Sequence, residues 1–431
     1  MPGIIFTRYD NAPPTGDDAR HADRTGRPAG RIDRRRFIGG ISALAAAASL
    51  GRLLPADAAL AQGTPPATDA DGPVAALTAL LQATPASLVT DAANGVLFYH
   101  ADLAAQFAAC GVDRTAADWL SGTNLYAVTA ALALVSAGFQ YGASPDFAAA
   151  LGFTPLQVDR AVEIGGPPNA LSIYQGGLDR AALEAAWAKT GFTQVALDGG
   201  RTLWTLGEGG EIDPASPIAQ FGAGAFNNLL LLDDQTLLVS RMGEPVRAAA
   251  AHAASGDAAA SVLGIAGVQQ AIATLSPTVV STIGLSGRGL AGSPRPDVAT
   301  PVSPGAMPAI TVALFGIEAG ARGEIDATGA TPAAGATPDD TGTSAQVEVR
   351  LVTASRADAE SAAATVSSRW GSMQSQVTQQ PFAELMTLVS ASVSDASETV
   401  AAIDFASGPT PGRWIQLVAM QDLAPFAPGG N

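Results

Sequence analysis

The chain has 431 residues, 47% of them hydrophobic and only 14% charged, with a net charge of −16. Nine arginines and six aspartates precede residue 62, so the rest holds 14 basic against 33 acidic residues; a surface this acidic repels phosphate backbones and anionic lipid, which argues against nucleic acid as a partner. Cys110 is the one cysteine, which excludes an intramolecular disulfide and any thiolate-held cluster built from this chain alone, and the length suffices for a large packed core and suggests about two domains.

The first element is a targeting signal. Asp33-Arg34-Arg35-Arg36-Phe37-Ile38 is followed by the mildly apolar run Gly39 to Gly51, which Arg52 ends. A run of about 15 residues is too short to cross a bilayer. Ala59-Leu60-Ala61 then offers a small-x-small cleavage site with Gln62 as the new N-terminus, and Ala56-Asp57-Ala58 is a rival site. This order resembles a twin-arginine (Tat) signal peptide, with Arg34 and Arg35 as the pair and Phe37 behind it. The resemblance covers about residues 33–61. It implies carriage of an already folded chain by the Tat translocase, trimming by signal peptidase after Ala61, and an extracytoplasmic destination: periplasm, cell-wall space or secretion. A long leader rich in Asp, Gly and Pro precedes Arg34. No cysteine follows the apolar run and no later segment is long and apolar enough for a membrane helix, so no stable membrane anchor is expected.

Residues 62–72 have the composition of a flexible linker, and 286–344 is Pro-, Gly- and Thr-rich with one short strand at 310–315. They delimit a body over 73–285 and a second unit over 345–431. Helices are expected where a polar cap meets a good first turn: Ser144-Pro145-Asp146, Thr154-Pro155-Leu156, and Asp179 ahead of 180–190 with Gly191 closing it. Alanine-rich stretches near 74–83, 123–137, 245–254 and 263–275 predict further helices. Residues 193–197 and 201–206 form a hairpin around Asp198-Gly199-Gly200, and 228–240 two strands joined at Asp233-Asp234. Gln346-Val-Glu-Val-Arg-Leu351 alternates polar and apolar, so one face is buried and one wet. The order strand, helix, strand, strand occurs twice, over 169–206 and 346–405, a weak βαββ repeat. The fold class is α+β, with antiparallel sheets and helices on one face.

The chemical inventory is thin. His100, after Leu97-Phe-Tyr, and His252, on an alanine helix, have no second histidine or cysteine set nearby, so both are structural; haem ligation by His100 has no supporting motif. Cys110 is expected to be a small buried apolar residue. There is no Gly-x-Ser-x-Gly elbow. Gly287-Arg-Gly-Leu-Ala-Gly292 spells a dinucleotide fingerprint, but Ser293-Pro-Arg-Pro follows where the fingerprint needs a helix, so a loop is expected. Asp340-Thr-Gly-Thr-Ser344 resembles the active loop of aspartic proteases over five residues only, in linker-like surroundings and without the second copy. Glu208, Glu211 and Asp213 crowd one loop and are expected to be solvated charge. Tyr174, Trp187 and Trp204 fall in the first βαββ unit; such aromatics usually form core, and Tyr174 and Trp204 are the candidates for a ligand platform.

No catalytic residue, metal set or cofactor is assigned. The favoured function is a non-catalytic binding or scaffold protein of the cell envelope, with a carboxylate-dependent exported hydrolase as the alternative. Two acids converging in one cleft would favour the hydrolase.

Overall fold

The structure, a computed structural model, describes residues 72–89, 95–110, 145–166, 169–221, 224–290, 306–318, 346–376, 378–407, 417 and 422–427. The expected signal peptide, the helix at 123–137, the Asp340 loop and most of 286–344 lie outside the described residues.

Twelve strands carry the fold: β1 (Val96–Asp102), β2 (Val158–Ile164), β3 (Leu171–Gly176), β4 (Thr193–Ala196), β5 (Thr202–Thr205), β6 (Asn228–Leu231), β7 (Thr236–Ser240), β8 (Val279–Ser286), β9 (Val312–Glu318), β10 (Gln346–Val352), β11 (Met386–Ser394) and β12 (Ser397–Ser407). They form one sheet in the order β11-β12-β10-β9-β8-β1-β2-β3-β7-β6-β5-β4, and every pairing is antiparallel. The α+β class and the antiparallel pairing therefore stand. Strands from both expected units lie in the same sheet, joined where β8 pairs with β9 and β9 with β10.

The helices are α1 (Pro73–Gln82), α2 (Leu103–Cys110), α3 (Pro145–Leu151), α4 (Arg180–Thr190), α5 (Gly243–Ser255), α6 (Val268–Ile272), α7 (Gly287–Leu290), α8 (Arg356–Ser372) and α9 (Phe382–Leu385). On one face of the sheet, α2, α3 and α4 cover an aromatic cluster at the β2–β7 end, and α8 and α9 cover a second cluster at the β9–β12 end. Tyr99, packed against both, and its cross-strand partner Ile283 mark the seam. This first face has helices along its whole length. The opposite face has its own layer: α1, α5 and α6 bury a cluster, aliphatic apart from Phe98, that runs from Leu203 on β5 to Val400 on β12.

Local chemistry explains the best-marked elements. Asp179 accepts the backbone N–H groups of Ala181 and Ala182 at the start of α4, and Gly191 ends it with φ 99°. The β4–β5 hairpin turns on Gly199 and Gly200, at φ 76° and 75°, a region that side chains with a Cβ rarely enter. The Thr154-Pro155 start gives only one 3-10 turn, 155–157, before β2 begins; the cap is present, but the β-branched Val158 leads into the sheet instead. The expected helix over 263–275 is shorter: a turn at 262–264, then α6, which Gly267 separates at φ 90°.

The βαββ order occurs twice, but the pairing differs. In the second unit β12 returns beside β10 and leaves β11 at the edge. In the first, β6 and β7 insert between β5 and β3, so β5 never meets β3. The helices are nonetheless used alike. Trp187 on α4 donates its indole N–H to Leu151 O at 2.9 Å and meets Trp204 edge-on; Trp370 on α8 donates to Met386 O at 3.1 Å and packs 4.3 Å from Phe405.

Candidate functional site

Strand pairing creates what no single segment holds. One cross-strand row on the second face runs Leu230, Leu238, Ile173, Val162, His100, Thr282, Gly316, Glu348, Asp404, Ser390, from β6 to β11. The first four are buried and aliphatic. From β1 onward the row carries polar side chains and one glycine. At roughly 4.8 Å between neighbouring strands, the polar part crosses half the sheet.

Arg350, two residues along β10 from Glu348 and so on the same face, organises the far end. Its Nη2 donates to Glu348 Oε2 at 2.7 Å, its Nη1 to Asp404 Oδ1 at 2.7 Å, and its Nε to the Thr274 carbonyl at 2.9 Å. Ser390 Oγ donates to the other oxygen of Asp404 at 2.7 Å, and the Ser276 N–H donates to Glu348 Oε2 at 3.0 Å. The side chains of Arg350 and Glu348 are 7% and 3% exposed, that of Asp404 27%. Burial, with a further hydrogen bond and repulsion from the Glu318 carboxyl, pushes Glu348 up to about 7, against the opposing pull of Arg350 and the Ser276 amide. Glu348 thus titrates near neutrality.

His100 sits in the middle of the row, within β1. Both its ring nitrogens and the Thr282 hydroxyl opposite are buried with no hydrogen-bond partner among the described residues. Burial, reinforced by the Arg160 charge, lowers its pKa to about 3, so the ring is neutral across the physiological range. Asp102 pairs with Arg160 at 3.0 Å on the same face of β1 and β2.

The residues singled out in the sequence go elsewhere. Tyr174 is 1% exposed and Trp204 5% exposed, both in the aromatic cluster on the first face. Trp204 also lines a cleft of about 210 Å³ with Arg180, Glu184, Arg201, Thr202 and Leu231; Tyr174 does not. The two are brought to one cluster but not to one cleft. In the acidic loop, Glu208 pairs with Arg247 of α5 at 2.6 Å, Asp213 accepts the Ala215 N–H, and the Glu211 carbonyl accepts Asn227 Nδ2. His252 reaches the Gln82 carbonyl at 3.0 Å and ties α5 to α1. Cys110 is the last residue of α2. Gly287 and Gly289 open the single turn α7, where a Cβ would lie 2.0 Å from Ile310 O and 2.9 Å from Gly95 O, so these glycines serve close backbone packing. Among the described residues no group of three or more His, Cys, Asp and Glu could hold a metal ion, and no helix is long and apolar enough to cross a membrane.

The Glu348–Arg350–Asp404 network is what the sequence left unnoticed. Its one local signal was the alternation over 346–351, which places an acid and a base on the same face of a strand. Glu318 and Asp404 join them only through the pairing of β9 and β12.

Fold and site together define a large α+β protein, built on a single antiparallel sheet, with an ion network on one face. No protein-family model and no curated protein matches the sequence. Two solved structures, crystal forms III and I of TP0453, align over 78% and 79% of this chain and 98% and 96% of their own, each at 7% identity and a TM-score of 0.34.

Proposed function

We propose that the protein leaves the cytoplasm by the twin-arginine route and acts outside it as a non-catalytic binding or scaffold protein of the cell envelope. The observation that supports the non-catalytic reading is the commitment of its chemical groups: Glu208 to Arg247, Asp102 to Arg160, and Glu348 and Asp404 to one guanidinium. A carboxyl 3% exposed beneath the Ser276 amide does not meet a substrate. The export half rests on the residues Arg34, Arg35 and Phe37, the apolar run and the Ala59–Ala61 cleavage site. Expression of the full chain and of a variant with Arg34→Lys and Arg35→Lys, followed by fractionation and N-terminal sequencing, tests it. The expected result is a product starting at Gln62 outside the cytoplasm and retention of the variant; export of the variant at the native level would sink the proposal.

A second reading, the carboxylate-dependent hydrolase, has one observation in its favour. Glu348, pushed up to about 7, lies directly across the strand pair from Asp404, and acid–base hydrolysis uses two carboxyls near one another. Release of reducing sugar from cell-wall polysaccharide by the purified exported protein, abolished by Asp404→Asn, would favour it over the scaffold.

A further inference from the structure

We propose that the cleft between β5, β6 and α4 binds a small N-acylated amino acid, whose amide bridges the two strands and whose carboxylate meets Arg201. The inference rests on the binding half of the proposed function and gives it a ligand class; it does not depend on the export route.

The cleft exists because a ladder stops short. β5 pairs with β6 at Trp204↔Leu229 and Thr205↔Asn228 and no further. Backbone groups along a strand point alternately to its two neighbours. The Leu206 N–H donates to Asn227 O of the β6 side, and the Arg201 carbonyl accepts from Leu197 of the β4 side, so Thr202 and Trp204 face β6. The Leu232 N–H donates to Thr236 O of β7, so Leu231 faces β5. Thr202 and Leu231 are therefore the next rung, they are not paired, and both line the cleft. An open rung presents a carbonyl on one strand and an N–H on the other, and both need partners. The C=O and N–H of one trans peptide group point in opposite directions. A single amide in the fork can thus donate to the Thr202 carbonyl and accept from the Leu231 N–H.

The side chains add donors. Trp204, 5% exposed, lines the same cleft. Its ring meets Trp187, but its indole N–H has no hydrogen-bond partner among the described residues, whereas those of Trp187 and Trp370 each have a backbone carbonyl. A buried indole N–H ordinarily finds an acceptor. Arg201 also lines the cleft; its Nη1 donates to the Ala250 carbonyl, and its charge pairs with no carboxylate among the described residues. Its other N–H groups suit a carboxylate, which can accept two of them side by side. Arg180, by contrast, is held between Asp234 at 2.9 Å and Glu184 at 3.4 Å, so its charge is answered within the protein. The volume of about 210 Å³ lies below the roughly 300 Å³ at which sites for drug-sized ligands begin, which suits one acylated residue.

Titration of N-acetyl-L-alanine into the purified full-length protein tests the site, with the Trp204 indole N–H followed in proton–nitrogen correlation spectra and assigned through Trp204→Phe. A saturable shift with a dissociation constant on the order of 1 mM is expected. The methyl ester of the same compound, which keeps the amide and loses the charge, and butyrate, which keeps a carboxylate and has no amide, are each expected to bind at least about tenfold more weakly. Arg201→Gln is expected to lower binding of N-acetyl-L-alanine to that of its ester and to leave the ester unchanged. The comparison of the three compounds needs only the wild type, so it decides the matter even where the variant fails to fold. No saturable shift by about 20 mM, equal binding of the three compounds, or undiminished binding by folded Arg201→Gln would overturn the proposal. Any of these would leave the export result, read by fractionation, where it stands.

Discussion

The two halves of the sheet solve the same packing problem differently. From β2 to β7 both faces are mainly apolar: aromatics under α3 and α4 on one side, and Val162, Ile173, Leu238 and Leu230 under α1 and α5 on the other, with the Asp102–Arg160 pair at the margin. From β9 to β12 only the face under α8 is fully apolar; on the other, aliphatic side chains extend to Val352 and Val400, and Glu348, Arg350 and Asp404 occupy the next positions along the same strands. Burying a hydrocarbon row needs no partner, whereas a buried charge needs every neighbour in place. One half is therefore stabilised chiefly by area, and the other partly by geometry.

The largest test of that contrast removes area. Trp187→Ala and Trp370→Ala each delete a fully buried ring and orphan a backbone carbonyl, and each is expected to cost about 3–5 kcal/mol in urea unfolding. Because strands of both halves share one sheet, a single transition is expected to report both losses; two separate midpoints would show that the halves unfold independently. Next comes geometry. Arg350→Met leaves Glu348 and Asp404 facing each other without their cation and is expected to destabilise by about 3 kcal/mol at neutral pH, less in acid, where the carboxyls are protonated. A loss that is equal at both pH values would mean that the guanidinium is held for packing alone. The smallest effect belongs to the exposed pairs Arg180–Glu184 and Arg356–Glu360, at the same place on the two repeat helices. Glu184→Gln and Glu360→Gln should each shift stability by at most about 0.5 kcal/mol and become indistinguishable from wild type at high salt.

The elements were legible where their causes are local. Asp179 and Gly191 bound α4, and the Gly199-Gly200 turn fixed its hairpin, because caps and positive-φ turns are decided within a few residues. The strands at 228–231 and 236–240 fall on either side of Asp233-Asp234 as expected. What sequence order could not convey was adjacency. The twofold βαββ pattern is real as an order, but an inserted hairpin gives the first copy a different sheet. The layer on the second face was equally hidden: α1, α5 and α6 come from distant stretches, and each looks like any alanine-rich or apolar helix until strands lie beneath it. The ion network failed to register for the same reason. Glu318, Glu348 and Asp404 are unremarkable singly, and β-sheet register alone makes them one cluster. Tyr174 and Trp204, conspicuous in the sequence, both lie in the aromatic cluster, and only Trp204 also reaches a cleft.

The wiring of β1 has a consequence for biosynthesis. This strand emerges early from the ribosome, yet one of its two neighbours is β8, whose residues follow much later, and the sheet stays divided until that seam closes. Pairings between such remote segments are slow to find and leave unpaired edges meanwhile. A nascent chain of this kind is open to edge-to-edge association until that seam closes, and its folding is governed by how soon β8 arrives beside β1.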